Sequence, residues 1–131
     1  MKKIGTIIAP TDIERFKGFA SPNTTPTPDD LFDRFLAELN GAELKVLLYI
    51  VRRTFGFKKE GDTISLSQLS DGIKTRDGKQ LDRGTGLSKS AVKVAVKSLE
   101  KRGLITVTRQ EADGYNSVNA YSLRFQEKRG G

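Results

Sequence analysis

Apolar residues recur along this chain in two rhythms, and the switch between them marks out its elements. After Ser21 to Pro28, a stretch rich in proline and hydroxyl residues that should be extended, Leu31, Phe32, Phe35, Leu36 and Leu39 fall at helical spacing. Thr27-Pro28-Asp29-Asp30 ahead of them has the form of a helix start, with Thr27 as cap, proline at the first position and acids near the positive end of the dipole. Asn40-Gly41 breaks the chain, and a second helix is predicted from about Ala42 to Thr54. It carries Leu44, Leu47, Leu48 and Val51 on one face, with Tyr49 and Ile50 beside it. Apolar residues over so much of the circumference predict a central, largely buried helix. Gly56 ends it, and Arg52 and Arg53 sit where the helix dipole favours cations.

The rhythm then shortens. Thr63 to Leu66 is a strand candidate, followed by a small helix around Ser67 to Gly72, with Ser67 as cap and Leu69 and Ile73 as buried points. A basic stretch from Lys74 to Gly84 has Asp77-Gly78 at its centre, the tip expected of a small hairpin. From Ser88 to Arg102 the helical period returns, with Val92, Ala95, Val96 and Leu99 on one face, flanked by Ala91. Gly103 stops this helix, and Leu104 to Arg109 reads as a strand. Ala112 to Asn116 supplies a turn, and Asn119 to Phe125 alternates as a returning strand with Tyr121, Leu123 and Phe125 on one side.

The order of elements predicts an α+β, mostly helical fold: a winged helix-turn-helix with a C-terminal β-hairpin wing. Residues 1–26 are expected to form an extended N-terminal arm, 27–125 the domain and 126–131 a polar C-terminal tail. Phe16 and Phe19 in the arm fit two roles. They dock on the domain as a clasp, or the arm contacts DNA or a second subunit.

Charge adds what periodicity alone lacks. The chain of 131 residues carries 23 basic and 16 acidic side chains, a formal +7. From Lys74 to Arg102 there are nine basic residues against three acidic ones, a net of +6 that is nearly the whole excess. Within it Lys89, Lys93, Lys97 and Lys101 repeat every four residues on the helix side opposite the apolar face. Like charges at that spacing weaken an isolated helix, and a polyanion laid along them reverses the sign. A merely solvated lysine face is the bland alternative. The short helix before it, the turn and the wing after it favour DNA.

Composition narrows the remaining chemistry. The absence of histidine and cysteine excludes disulfides, thiolate catalysis, imidazole triads and the usual zinc sites. No carboxylate pair, phosphate loop or nucleotide fingerprint stands out, and the Ser88-Lys89 pair lacks the surroundings of a serine–lysine nucleophile. The chain is therefore expected not to be an enzyme, and to use no cofactor and no metal. No apolar run approaches the roughly 20 residues of a membrane span. The expected location is the cytoplasm of a bacterial host, at the nucleoid.

If the helix from Ser88 enters a major groove by its N-terminal end, the residues there acquire roles. Ser88, Lys89 and Ser90 meet phosphate or base edges, aided by free backbone N–H groups. Lys93, one turn in, reaches guanine or phosphate, and Val94 meets a thymine methyl. Lys97 and Lys101 are phosphate contacts. Arg76, Lys79 and Arg83 add contacts from the basic loop. Arg109, near the wing, reaches the adjacent minor groove or backbone, or simply faces solvent.

Two blocks also resemble a known family: Thr27-Pro28-Asp29-Asp30-Leu31-Phe32-Asp33, and Leu39 to Gly56 with its ending Arg52-Arg53-Thr54-Phe55-Gly56. With Ile64 to Leu69 and Gly86-Leu87-Ser88, they resemble the N-terminal, DNA-binding domain of phage replication protein O and related initiators, over roughly residues 27 to 108. The resemblance implies a winged-helix domain that binds origin DNA, often in repeats, and helps load the replicative helicase. The loop from Lys74 to Gly84 is longer than the tight turn usual in a helix-turn-helix. The chain stops just after the wing, so contact with a helicase or its loader is not expected of it. Double-stranded DNA is the expected partner, with a homodimer as an option and no membrane. A small transcriptional regulator, and a protein-interaction winged helix meeting an acidic partner, are the alternatives.

Overall fold

In the computed structural model, which describes residues 15–19, 23–110 and 118–126, a segment without regular secondary structure at residues 23–28 leads into the first helix. That helix, α1, is a π-helical turn Leu31–Phe35 continued by Leu36–Glu38. Then follow α2 (Gly41–Thr54), β1 (Gly61–Ser65), α3 (Leu66–Asp71), the short strands β2 (Ile73–Lys74) and β3 (Gln80–Asp82), α4 (Lys89–Lys101), β4 (Ile105–Arg109) and β5 (Val118–Leu123). The three-stranded sheet has the order β1-β5-β4 with both pairings antiparallel, Ile64 opposite Asn119 and Val107 opposite Tyr121. Strands β2 and β3 form a separate antiparallel hairpin. This is the expected α+β class, a helical domain carrying a C-terminal β-hairpin.

One core holds these elements. Val46 and Ile50 from α2, Leu69 from α3, and Val92 and Leu99 from α4 are fully buried together with Ile64 of β1. Ile105 and Tyr121 close it from the sheet. Helix α2 packs against α4, β1 and β5, so it is the central element its composition predicts. Its buried face, however, is set by Glu43, Val46, Leu47, Ile50, Val51 and Thr54, while Leu44 is half-buried and Leu48 is 39 % exposed. The stripe is rotated by one residue from the leucine face, about 100°, because α4 and the sheet grip the helix from two sides.

Helix starts also differ from expectation in detail. Thr27 does not cap α1; its hydroxyl donates to the Thr25 carbonyl, and Leu31 N–H reaches the Pro28 carbonyl instead. Ser65, not Ser67, caps α3: its Oγ accepts from Gln68 N–H at 3.0 Å. The strand β1 runs into the helix without a loop, so the cap falls on the last strand residue. Asn40 is more than a chain break. Its side chain accepts from Glu43 N–H while the Glu43 carboxylate accepts from Asn40 N–H, each at 2.8 Å, a complete capping box.

Phe16 and Phe19 pack edge to face on one another, ring centroids 4.9 Å apart, and are 70 % and 91 % exposed. They do not dock on the domain. The remainder of the expected arm, residues 1–14 and 20–22, lies outside the described residues, as do the expected wing turn at Ala112 to Asn116 and tail residues 127–131. No helix among the described residues is long and apolar enough to cross a membrane.

Candidate nucleic-acid interface

Helix α4 begins where the sequence predicts. Ser88 has extended backbone angles, and its Oγ accepts from Ala91 N–H at 3.1 Å, leaving the N–H groups of Lys89 and Ser90 directed off the helix end. The residues just before it are tied to α3. Thr85 donates to the Leu69 carbonyl from both N–H and Oγ1, at 2.9 and 2.7 Å. Gly86 N–H donates to the Ser70 carbonyl at 3.1 Å, and Ser70 Oγ donates to the Leu87 carbonyl at 2.5 Å. These bonds join the end of α3 to the start of α4 and set their relative placement.

Burial then sorts the faces of α4. Val92, Ala95, Val96 and Leu99 are inside; Ser88, Lys89, Ser90, Lys93, Val94, Lys97 and Lys101 are outside, Val94 being 69 % exposed in mid-helix. Among the described residues none of the four lysines makes an ion pair or a side-chain hydrogen bond. They stand about 6 Å apart along the axis as a row of unneutralised charge. An exposed apolar residue between such lysines costs burial that the core does not recover.

Arg76, Lys79 and Arg83 are likewise exposed and form no ion pair among the described residues. All three lie on or beside the β2–β3 hairpin. Its base is fixed to the core by Asp82, whose carboxylate accepts from Tyr49 Oη at 3.1 Å and from Gly84 N–H at 2.9 Å, with Arg53 Nη1 3.7 Å away. Burial, with the neighbouring Asp82 charge, pushes the Tyr49 phenol up to about 12, so it stays a donor.

Two cations on or beside α4 are spoken for. Arg109 on β4 forms a bidentate pair with Glu100 of α4, at 3.0 and 2.8 Å. The hydrogen bond holds the Glu100 carboxyl below the usual range and raises the Arg109 guanidinium further. Arg109 therefore stands beside the row but is not part of the unpaired set. Arg102, at the end of α4, bonds to Glu43 at 3.1 Å. Glu43 is 2 % exposed and also accepts from Ser98, whose hydrogen bond is the main reason its carboxyl is held below the usual value. Arg102 thus locks α4 to α2. Helical periodicity alone does not mark this site, although Glu43 three residues after Asn40 is the capping-box signature.

An apolar groove of about 500 Å³ runs between α1 and the end of β5, lined by Leu31, Phe35, Leu47, Leu104, Leu123 and Phe125. It contains none of the residues expected to meet DNA. Among the described residues no cluster of acidic side chains is grouped to hold a metal ion.

Comparison with known proteins bears on the whole of this surface. A family model described as bacteriophage replication protein O matches residues 25–121, from the segment before α1 into β5, and so spans both helices α3 and α4 and the hairpin between them. No curated protein and no solved structure matches the chain.

Proposed function

Because the chain belongs to the bacteriophage replication protein O family, we propose that it is a sequence-specific double-stranded DNA-binding protein of replication-initiator type, with α4 as its recognition helix. The observation that carries this is the row Lys89, Lys93, Lys97 and Lys101, exposed on the face of α4 opposite the core and without an ion pair among the described residues. Like charges four residues apart cost the helix about 0.2–0.5 kcal/mol per pair, and a polyanion laid along the row reverses that sign.

The α4 N-terminus enters the major groove in this scheme, with Ser88, Lys89 and Ser90 at the entry. The unbonded N–H groups there and the positive end of the dipole favour a phosphate. Lys93 and Val94 face the base edges, lysine toward guanine acceptors and valine toward a thymine methyl. Lys97 and Lys101 follow the backbone, and Arg76, Lys79 and Arg83 supply further cations beside the helix. Counterion release makes the affinity strongly salt-dependent.

Selection of bound sites from a random duplex pool tests the role. Recovery of direct repeats supports an initiator that assembles on an origin. Recovery of a single palindrome points instead to a dimeric regulator of transcription and overturns the replication role. If no duplex is retained at all, the DNA reading itself is wrong.

A further inference from the structure

The segment between α3 and α4 is far longer than a helix-turn-helix needs, and it is thoroughly organised. At its root, Gly72 and Gly84 cross so closely that a Cβ on Gly72 would overlap the Asp82 carbonyl oxygen and Gly84 N. Both glycines have positive φ, +88° and +66°, so both the approach and the backbone demand glycine. Gln80 Nε2 donates to the carbonyls of Ile73 and Asp82 at 3.2 and 2.5 Å, stitching the two strands at the ladder irregularity between Ile73 and Lys74. At the tip, Thr75 N–H donates to the Lys79 carbonyl at 2.8 Å, Gly78 N–H to the Thr75 carbonyl at 3.0 Å, and Lys79 N–H to Thr75 Oγ1 at 3.0 Å. Thr75 Oγ1 also donates to Asp77, which holds that carboxyl below its ordinary range. Asp77 is the one acid of the tip, and it is turned to bracing the turn.

The outward residues are Lys74, Arg76, Lys79 and Arg83, all exposed and without an ion pair among the described residues. The root is braced to the core by Asp82, Tyr49 and Arg53. It is also close to the start of α4. Gly84 is next to Thr85, which binds Leu69, and Ser70 binds Leu87, the residue before the Ser88 cap. The hairpin therefore springs from beside the helix end that enters the groove. Four cations on such a braced projection meet DNA with little ordering cost.

We propose that the β2–β3 hairpin is a second wing: a preformed arm that carries Arg76 and Lys79 to the phosphates flanking the groove occupied by the N-terminus of α4. It rests on the DNA-binding function proposed above and extends it. The hairpin precedes α4 and the β4–β5 pair follows it, so the two are separate elements along the chain on either side of the helix. The Lys74–Gly84 segment then adds phosphate contacts beyond those of α4.

The test compares the wild-type chain with Arg76→Ala/Lys79→Ala, on duplexes that the wild type selects from a random pool. Both positions are exposed at the tip, so the fold is untouched. Expected is a salt slope flatter by about 1.8, two phosphates at roughly 0.9 each, and hydroxyl-radical protection lost on one flank while the protection under α4 remains. An unchanged slope and an unchanged footprint, with wild-type binding intact, overturn the second wing and leave α4 as the reader. Absence of wild-type binding to any duplex overturns both proposals together.

Discussion

Glu43 in the first turn of α2 and Arg102 at the end of α4 meet at 3.1 Å, with the Ser98 hydroxyl on the same carboxylate oxygen. The carboxylate's other oxygen closes the capping box on Asn40. One buried acid thus caps one helix and fastens the C-terminal end of another, the one that carries the lysine row. Replacing it removes the cap contact and leaves Arg102 and Ser98 without their acceptor. Glu43→Ala should lower stability by about 3 kcal/mol, the low end for a broken buried pair because Arg102 is partly exposed. Urea unfolding followed by circular dichroism measures it.

The same residue gives a pH dependence whose sign is fixed. Its carboxyl is held below the ordinary 4.5, chiefly by Ser98, so the folded state binds its proton more weakly than the unfolded chain does. The stabilisation is complete above that ordinary value and is lost as pH falls through the lower, folded-state value. Thermal unfolding between pH 6 and pH 3, conditions chosen to bracket 4.5, should show a decline in the wild type that is shallower in Glu43→Gln. Parallel curves would remove Glu43 as the source.

Glu100 is the one acid on α4 and holds Arg109 in place. Arg109 is exposed and Glu100 only half-buried, so the pair contributes little to stability, about 0.5 kcal/mol or less. Its effect on binding is larger. Glu100→Gln removes a negative charge from the lysine helix and releases Arg109, and should tighten duplex binding several-fold at low salt, with the gain shrinking as salt rises. Fluorescence anisotropy at two salt concentrations reads both parts. A loss of affinity would mean that Arg109 works only when held.

Helix α4 was legible because its signals are local. Ser88 as cap, four apolar residues on one face and Gly103 just past the end all lie within one element, and the structure repeats them with Gly103 at φ +80°. The lysine face followed from the same wheel. What escaped was decided at a distance. Glu43 is 55 residues from Ser98 and 59 from Arg102, and no periodicity joins them. The rotated face of α2 depends on two partners gripping it at once. The Ser65 cap escaped because serines stand at both 65 and 67, and only the strand register fixes that β1 ends at Ser65. In the basic loop, Asp77-Gly78 did mark a turn. The anchoring of its root rests on Tyr49, 33 residues before Asp82 and itself bonded by the Gln68 side chain, contacts that only the fold brings together.

Ser88 serves the fold and, in the proposed role, the DNA, and the two can be separated. Ser88→Ala removes the cap and should cost about 1 kcal/mol. Ser88→Asp restores the cap, and with it the stability, yet places a carboxylate at the groove entrance, so duplex affinity should fall several-fold below that of the wild type. If the aspartate variant bound as tightly as the wild type, the α4 N-terminus would not be against phosphate.

The lysine row carries the proposed DNA-binding role. Lys89→Glu/Lys93→Glu changes two exposed residues of α4 and touches none of the core. Its duplex affinity, measured across a range of salt, is predicted to drop at least about tenfold, with a slope flatter by about 1.8 for two lost phosphate contacts. An unchanged affinity and an unchanged slope would contradict the assignment of α4 as the DNA-binding helix.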